Sequence, residues 1–225
     1  IVRLSLSASV PMKGNLMLLG ISGILTCCCL SCQQTNRSKT TQNDSIATLM
    51  DTSSFSTTID AKKVYLYELT NKNGVQAYFT NFGARLVGLW VPDNTGKLCD
   101  VVLVFSNAGD YNNPKEPFFG TIVGPFGNRI AKGKFKLDDT SYTLAVNNGP
   151  NTLHGGFKGV HFAHWTLKKS DQSSLTFAYT LPDGQEGFPG NIQMEVTYTL
   201  NDNNELIIAY RAETDKKTVI NLTNH

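Results

Sequence analysis

From Gln193 to Leu200 polar and apolar side chains alternate, with Gln193, Glu195, Thr197 and Thr199 set against Met194, Val196, Tyr198 and Leu200. A period of two sends successive side chains to opposite faces, so this run predicts a strand with one face in a core and one in water. The pattern returns in Leu175, Phe177, Tyr179 and Leu181, and again in Leu206, Ile208 and Tyr210 beyond the polar turn Asn201-Asp202-Asn203-Asn204. Residues 64–69, 75–79, 85–91, 101–105, 142–146 and 218–222 are further strand candidates. Asn73-Gly74, Thr95-Gly96 and Asp183-Gly184 supply turn chemistry between them. No window of the body sustains helical spacing, although a short helical turn is expected near Asp110 to Pro114. The prediction is an all-β fold, a large antiparallel β-sandwich, over residues 61–225.

The first 60 residues follow other patterns. Met12 and Lys13 precede an uncharged apolar stretch from Gly14 to Ser31, which reads as a secretory signal, with residues 1–11 as upstream sequence. Four of the five cysteines, Cys27, Cys28, Cys29 and Cys32, close that stretch. Leu30-Ser31-Cys32 resembles a bacterial lipoprotein cleavage site in which Cys32 would be lipidated, with Cys29 standing where an aliphatic residue is usual. The expectation is export to a periplasmic or outer-membrane surface. An uncleaved membrane anchor and simple secretion are the alternatives. A zinc site is disfavoured because the cysteines lack separated ligand pairs. Cys99 alone remains in the body, so no internal disulfide is available there. Residues 33–60 turn to Thr, Ser, Gln, Asn and Asp and read as a solvated tether. The chain opens on Ile1 and stops at His225 on an apolar strand pattern without a cap, which reads as a piece of a longer protein.

Charge narrows the ligand. Setting aside Arg3 and Lys13, the only charged residues of the leader, leaves 18 of the 20 basic residues against 18 acidic ones. A neutral body with no basic run gives no electrostatic case for nucleic acid or an anionic membrane surface, and favours an uncharged small molecule.

Polar loops carry the candidate chemistry. Asn128 and Arg129 would cap a turn and pair with a surface carboxylate, or offer a permanently charged donor fork to a hydroxyl oxygen. His154 sits among glycines, where it would either bond to nearby backbone or meet a ligand at close range. His225, at the end of an apolar run, has a core reading beside a functional one. His161 and His164, three apart on an expected strand, would face opposite sides and are read as structural rather than metal-binding. Asp183 and Glu186 would suit glycoside cleavage only at a definite separation across a scissile bond; in a Gly/Pro-rich loop they read as turn formers.

Four segments occur in order: GNRIAKGKF (127–135), NNGPNTLHGGFKG (147–159), DGQEGFPGN (183–191) and VINLTNH (219–225). This series resembles the galactose mutarotase, or aldose 1-epimerase, family from about Lys62 to His225. The resemblance implies a galactose mutarotase-like supersandwich and a small-molecule sugar substrate. It also implies that Asn128 and Arg129 bind sugar hydroxyls, that His154 holds and polarises the substrate, and that His225 is the general acid. The family's glutamate base and sugar-binding aspartate come much later in its chains and have no assignment here. Pro125 and Gly127 depart from the residues usual before the Asn-Arg pair. The chemistry so implied needs no metal, nucleotide or other cofactor. A hexose-phosphate epimerase of the same fold would need a basic cluster that the neutral body lacks. A non-catalytic carbohydrate-binding protein, stacking sugars on Trp90, Phe126 or Phe157, is the alternative from another class.

Overall fold

A computed structural model describes residues Val2–Ser5, as backbone, and 49–225. The leader cysteines, Cys32 among them, lie outside the described residues, as do the apolar stretch before them and most of the expected tether.

Two sheets enclose the main core. One runs Val2–Ser5, Leu206–Thr214, Ile192–Leu200, Ser174–Leu181, Thr166–Ser170, antiparallel except for Val2–Ser5, which lies parallel to Leu206–Thr214. The other is antiparallel in the order Leu66–Thr70, Gln76–Thr80, Arg85–Pro92, Leu98–Asp100. Alternation does the sorting. Met194, Val196 and Tyr198 pair with Ala212, Tyr210 and Ile208 and turn inward onto Ala77 and Phe79 of the second sheet. Phe79 lies 4.5 Å from Tyr198, centroid to centroid, and the Tyr198 hydroxyl donates to the Ala84 carbonyl at 2.7 Å, so the two sheets meet through an aromatic whose polar tip is satisfied. The all-β sandwich expected from periodicity is the fold observed, and the described residues hold short 3-10 turns but no α-helix.

Gln76–Thr80 is buried along its whole length, with Ala77 and Phe79 in the main core and Tyr78 in a second cluster on the other face. That second cluster explains a corrected boundary. Phe55 and Ile59, the two large side chains in an otherwise polar stretch, are buried in it with Val64, Val87 and Tyr111. Residues 52–60, expected in the tether, therefore fold, as a 3-10 turn at Thr52–Phe55 and a hairpin of Thr57–Ile59 with Lys62–Val64. Other expectations also shift. Residues 101–105 form no strand; pairing stops at Leu98–Asp100 and leaves Val101 and Leu103 exposed. The strand expected at 142–146 lies at Thr140–Thr143, and residues 218–222 form only a bridge at Asn221, the two-residue strand Thr223–Asn224 coming after them. Backbone bonds in these segments are isolated, as from Val101 to Leu89 and from Asn221 to Pro125, and period alone does not report a continuous ladder. The turn expected near Asp110 is the 3-10 turn Gly109–Tyr111.

Candidate active site

Three short segments lie side by side. The middle one, residues 120–130, pairs on one flank with the chain end: Ile122–Val123 lies antiparallel to Thr223–Asn224, and the Gly127 amide donates to the Asn221 carbonyl at 2.7 Å. The His225 amide donates to Thr121 at 2.9 Å, and the His225 carbonyl accepts from Gly120 at 3.0 Å. On the other flank Arg129–Ile130 pairs with Thr152–Leu153. This ribbon brings Asn128, Arg129, His154 and His225 together from positions nearly a hundred residues apart. The four residues singled out in the sequence thus share one place.

Backbone shape aims them. Asn128 and His154 both hold left-handed conformations, φ 67 and φ 52. They are locked by a reciprocal pair of bonds: the His154 amide donates to the Asn128 carbonyl at 3.1 Å, and the Asn128 amide donates to His154 Nδ1 at 3.0 Å. An imidazole that accepts through Nδ1 while neutral carries its proton on Nε2, so His154 presents an N–H donor. The glycines after it are required by close approach: at Gly155, φ 85, a Cβ would stand 1.9 Å from the Gly124 carbonyl oxygen. At Gly156, φ 95, it would stand 2.2 Å from Glu186 Oε2. Arg129 is exposed; its Nε donates to Asn148 Oδ1 at 3.0 Å and Nη1 to Asn128 Oδ1 at 3.3 Å, leaving other guanidinium donors for a ligand.

Electrostatics set the state of His154. Burial, then the neighbouring His225 and Arg129, push His154 down to about 4, so it is neutral at physiological pH. His154 and His225 stand with ring centroids 5.2 Å apart, nearly perpendicular. Phe118 touches both, at 4.8 Å from His154 and stacked at 5.3 Å from His225, and lies 4.9 Å from His161. One face of the pair is therefore covered by an apolar ring.

Sequence reasoning missed the supports. Arg85, fully buried, donates to the carbonyls of Phe119 at 2.7 Å, Pro117 at 3.1 Å and His161 at 3.2 Å, and so fixes the segment that carries Phe118. Its charge has an aromatic face in Tyr111, 4.6 Å away, and burial lowers it to about 10, so it stays charged. The signal was an arginine opening an otherwise apolar strand. Glu186 accepts from the amides of Phe157 at 3.1 Å and Lys158 at 3.0 Å and so braces the loop of His154. Asp183 instead pairs with Lys216 and accepts from Gly190, so the two carboxylates serve separate loops, in keeping with turn formation. His161 and His164 do not flank a strand: Val160–Phe162 is a 3-10 turn, His161 lies buried beneath Phe118, and His164 packs on Phe82. Among the described residues no group of three or more His, Cys, Asp or Glu is placed to hold a metal ion.

Comparison with known proteins follows this geometry. Residues 65–225 match the model of the family described as aldose 1-epimerase, a span that includes all four site residues. The chain is 46% identical to galactose mutarotase of Sus scrofa over 145 residues, 64% of this chain and 42% of that protein. It is 32% identical to aldose 1-epimerase of Escherichia coli over 166 residues, 74% of this chain and 48% of that protein. Among solved structures, an aldose epimerase homologue from C. elegans superposes with a TM-score of 0.68 at 36% identity, over 72% of this chain and 50% of that one. A galactose 1-epimerase from Lactobacillus acidophilus gives 0.65 at 28% identity, over 75% and 50%. The chain spans about half the length of the curated relatives it matches. With the site ribbon and every strand of the two sheets except Val2–Ser5 inside the matched span, the chain belongs to the aldose 1-epimerase family.

Proposed function

We propose that the protein is an aldose 1-epimerase that interconverts the α and β anomers of aldohexoses such as glucose and galactose. The observation that carries this reading is the pairing of a neutral, donor-fixed His154 with His225 beside Asn128 and Arg129.

Inverting an anomeric carbon without breaking other bonds needs one proton delivered to the ring oxygen while another leaves the anomeric hydroxyl. The ring opens to the aldehyde, the C1–C2 bond rotates, and the ring recloses. One group must deliver and recover that proton. His154, held neutral down to about 4, is not that group; its Nε2–H donates a hydrogen bond to a substrate oxygen instead. His225 is the general acid. Asn128 and Arg129 hold hydroxyls, and a body of balanced charge without a basic run suits a sugar without phosphate. A carboxylate base, implied by the family resemblance and unassigned among the described residues, completes the exchange.

Polarimetry of freshly dissolved α-D-galactose tests this. In a chain continued to the length of its relatives, His225→Ala lowers kcat by about 10²–10⁴, the usual contribution of a positioned proton donor. The 225-residue chain alone binds galactose with little turnover. An unchanged rate in the His225 variant overturns the assignment. Saturable binding with no change in anomer ratio at full length favours a carbohydrate-binding protein.

Export is proposed alongside, supported by the Met12-Lys13 start, the apolar stretch and Leu30-Ser31-Cys32. Mass spectrometry of protein from a bacterial envelope reads it: the expected N-terminus is a diacylglyceryl Cys32, and an intact leader overturns it.

A further inference from the structure

The loop that carries His154 runs on into a second recess. A cavity of about 360 Å³ is lined by Asp60, Asn112, Phe157, Lys158, Tyr179 and Gln185 among others. That volume falls within the roughly 300–1,000 Å³ of small-molecule sites. The recess belongs to none of the proposed chemistry, since neither histidine of the pair lines it.

Its walls are prepared for a ligand. Phe157 is 61% exposed, an unusual state for a large aromatic, yet its backbone is braced: Glu186 accepts from the amides of Phe157 and Lys158, and Gln185 Nε2 donates to the Lys158 carbonyl at 2.8 Å. An exposed ring on a fixed backbone loses little freedom on binding. Around the same recess, the side chains of Asp60, Asn112 and Lys158 make no hydrogen bond or ion pair among the described residues. They offer one carboxylate, one amide and one ammonium, which is both acceptors and donors with no net charge. A lone anion would meet Asp60 and a lone cation Lys158. A neutral polyhydroxylated ring satisfies both, and its apolar C–H face suits Phe157 and Tyr179.

Asp60 reaches the recess from outside the site ribbon. It sits in the turn of the Thr57–Ile59 and Lys62–Val64 hairpin, upstream of the residues 65–225 that the family model matches. We propose that this recess is a second, non-catalytic saccharide-binding site for a neutral glycan unit. It does not rest on the epimerase reading.

The test uses methyl β-cellobioside, which has no free anomeric hydroxyl, titrated into the full chain and followed by amide NMR shifts, with and without saturating D-galactose. Expected are saturable shifts at Phe157, Tyr179 and Gln185 that persist in galactose. Phe157→Ala and Asn112→Ala, both at exposed positions, weaken binding at least tenfold while circular dichroism is unchanged. Shifts confined to His154 and His225 that vanish in galactose overturn the site. So does the absence of saturable shifts, or binding that survives Phe157→Ala. Failure of galactose itself to shift His154 counts against the epimerase reading and leaves this one standing.

Discussion

His154 and His225 stand 5.2 Å apart, and the surroundings of His154 fix where its proton sits. His154 gives its Nδ1 lone pair to the Asn128 amide and lies against Phe118, so its proton is fixed on Nε2 and a second proton is resisted. Burial is the first cause of that resistance; His225 and the Arg129 guanidinium add to it. Removing one charge should relax it. In Arg129→Gln the His154 midpoint, about 4 in the parent, is expected to rise, and imidazole proton NMR across pH 3–8 reads the change. A midpoint that stays put, or falls, would show that Arg129 does not act on His154. Asn128, Arg129, His154 and His225 were all legible in the sequence, because each stands in a short motif whose order the family resemblance preserves. Phe118 was not, because a ring reaches three histidines only through folding, and nothing in Pro117-Phe118-Phe119 announces it.

At the scale of elements, long strands could be read and short ones could not. Ile192–Leu200 alternates over nine residues, enough for period two to stand out. The site is built instead from two-residue strands, Ile122–Val123, Arg129–Ile130, Thr152–Leu153 and Thr223–Asn224, too short for any period. Their geometry depends on glycines at close approach. Gly155→Ala adds a Cβ 1.9 Å from the Gly124 carbonyl oxygen at φ 85, while Gly74→Ala, at φ 78, meets nothing within 4 Å. Both carry the conformational cost of a left-handed alanine, about 1 kcal/mol. Only the first must also displace backbone, so its loss is expected to reach about 2–3 kcal/mol or more. Urea unfolding of the two variants side by side separates strain from collision. Equal losses would mean that the Gly124–Gly155 approach relaxes freely.

Across the whole molecule, buried nitrogen ties the site to the sandwich. Arg85 rises from the second sheet to hold the carbonyls of Pro117, Phe119 and His161, and His161 lies beneath Phe118 with Nδ1 unpartnered. At the other end, Asn71 donates to the Asn201 carbonyl and to Asn204, joining turns of the two sheets. The imidazoles make stability depend on pH with a definite sign. An unfolded histidine takes up its proton near pH 6.5. In the folded protein His161, pushed down by burial and then by Arg85, waits until about 3, and His154 until about 4. Through the window between about 6.5 and those values the unfolded chain binds more protons than the folded one, so stability falls as pH falls and is level above it. Exposed carboxylates held below their ordinary range, such as Asp183 beside Lys216, add their own loss only nearer pH 4 and below. Melting temperatures between pH 7 and 4.5 therefore report mainly the imidazoles. His161→Gln keeps a polar side chain but cannot titrate, and is expected to flatten that slope even if it lowers the melting temperature at pH 7. A slope unchanged by His161→Gln would place the acid sensitivity elsewhere.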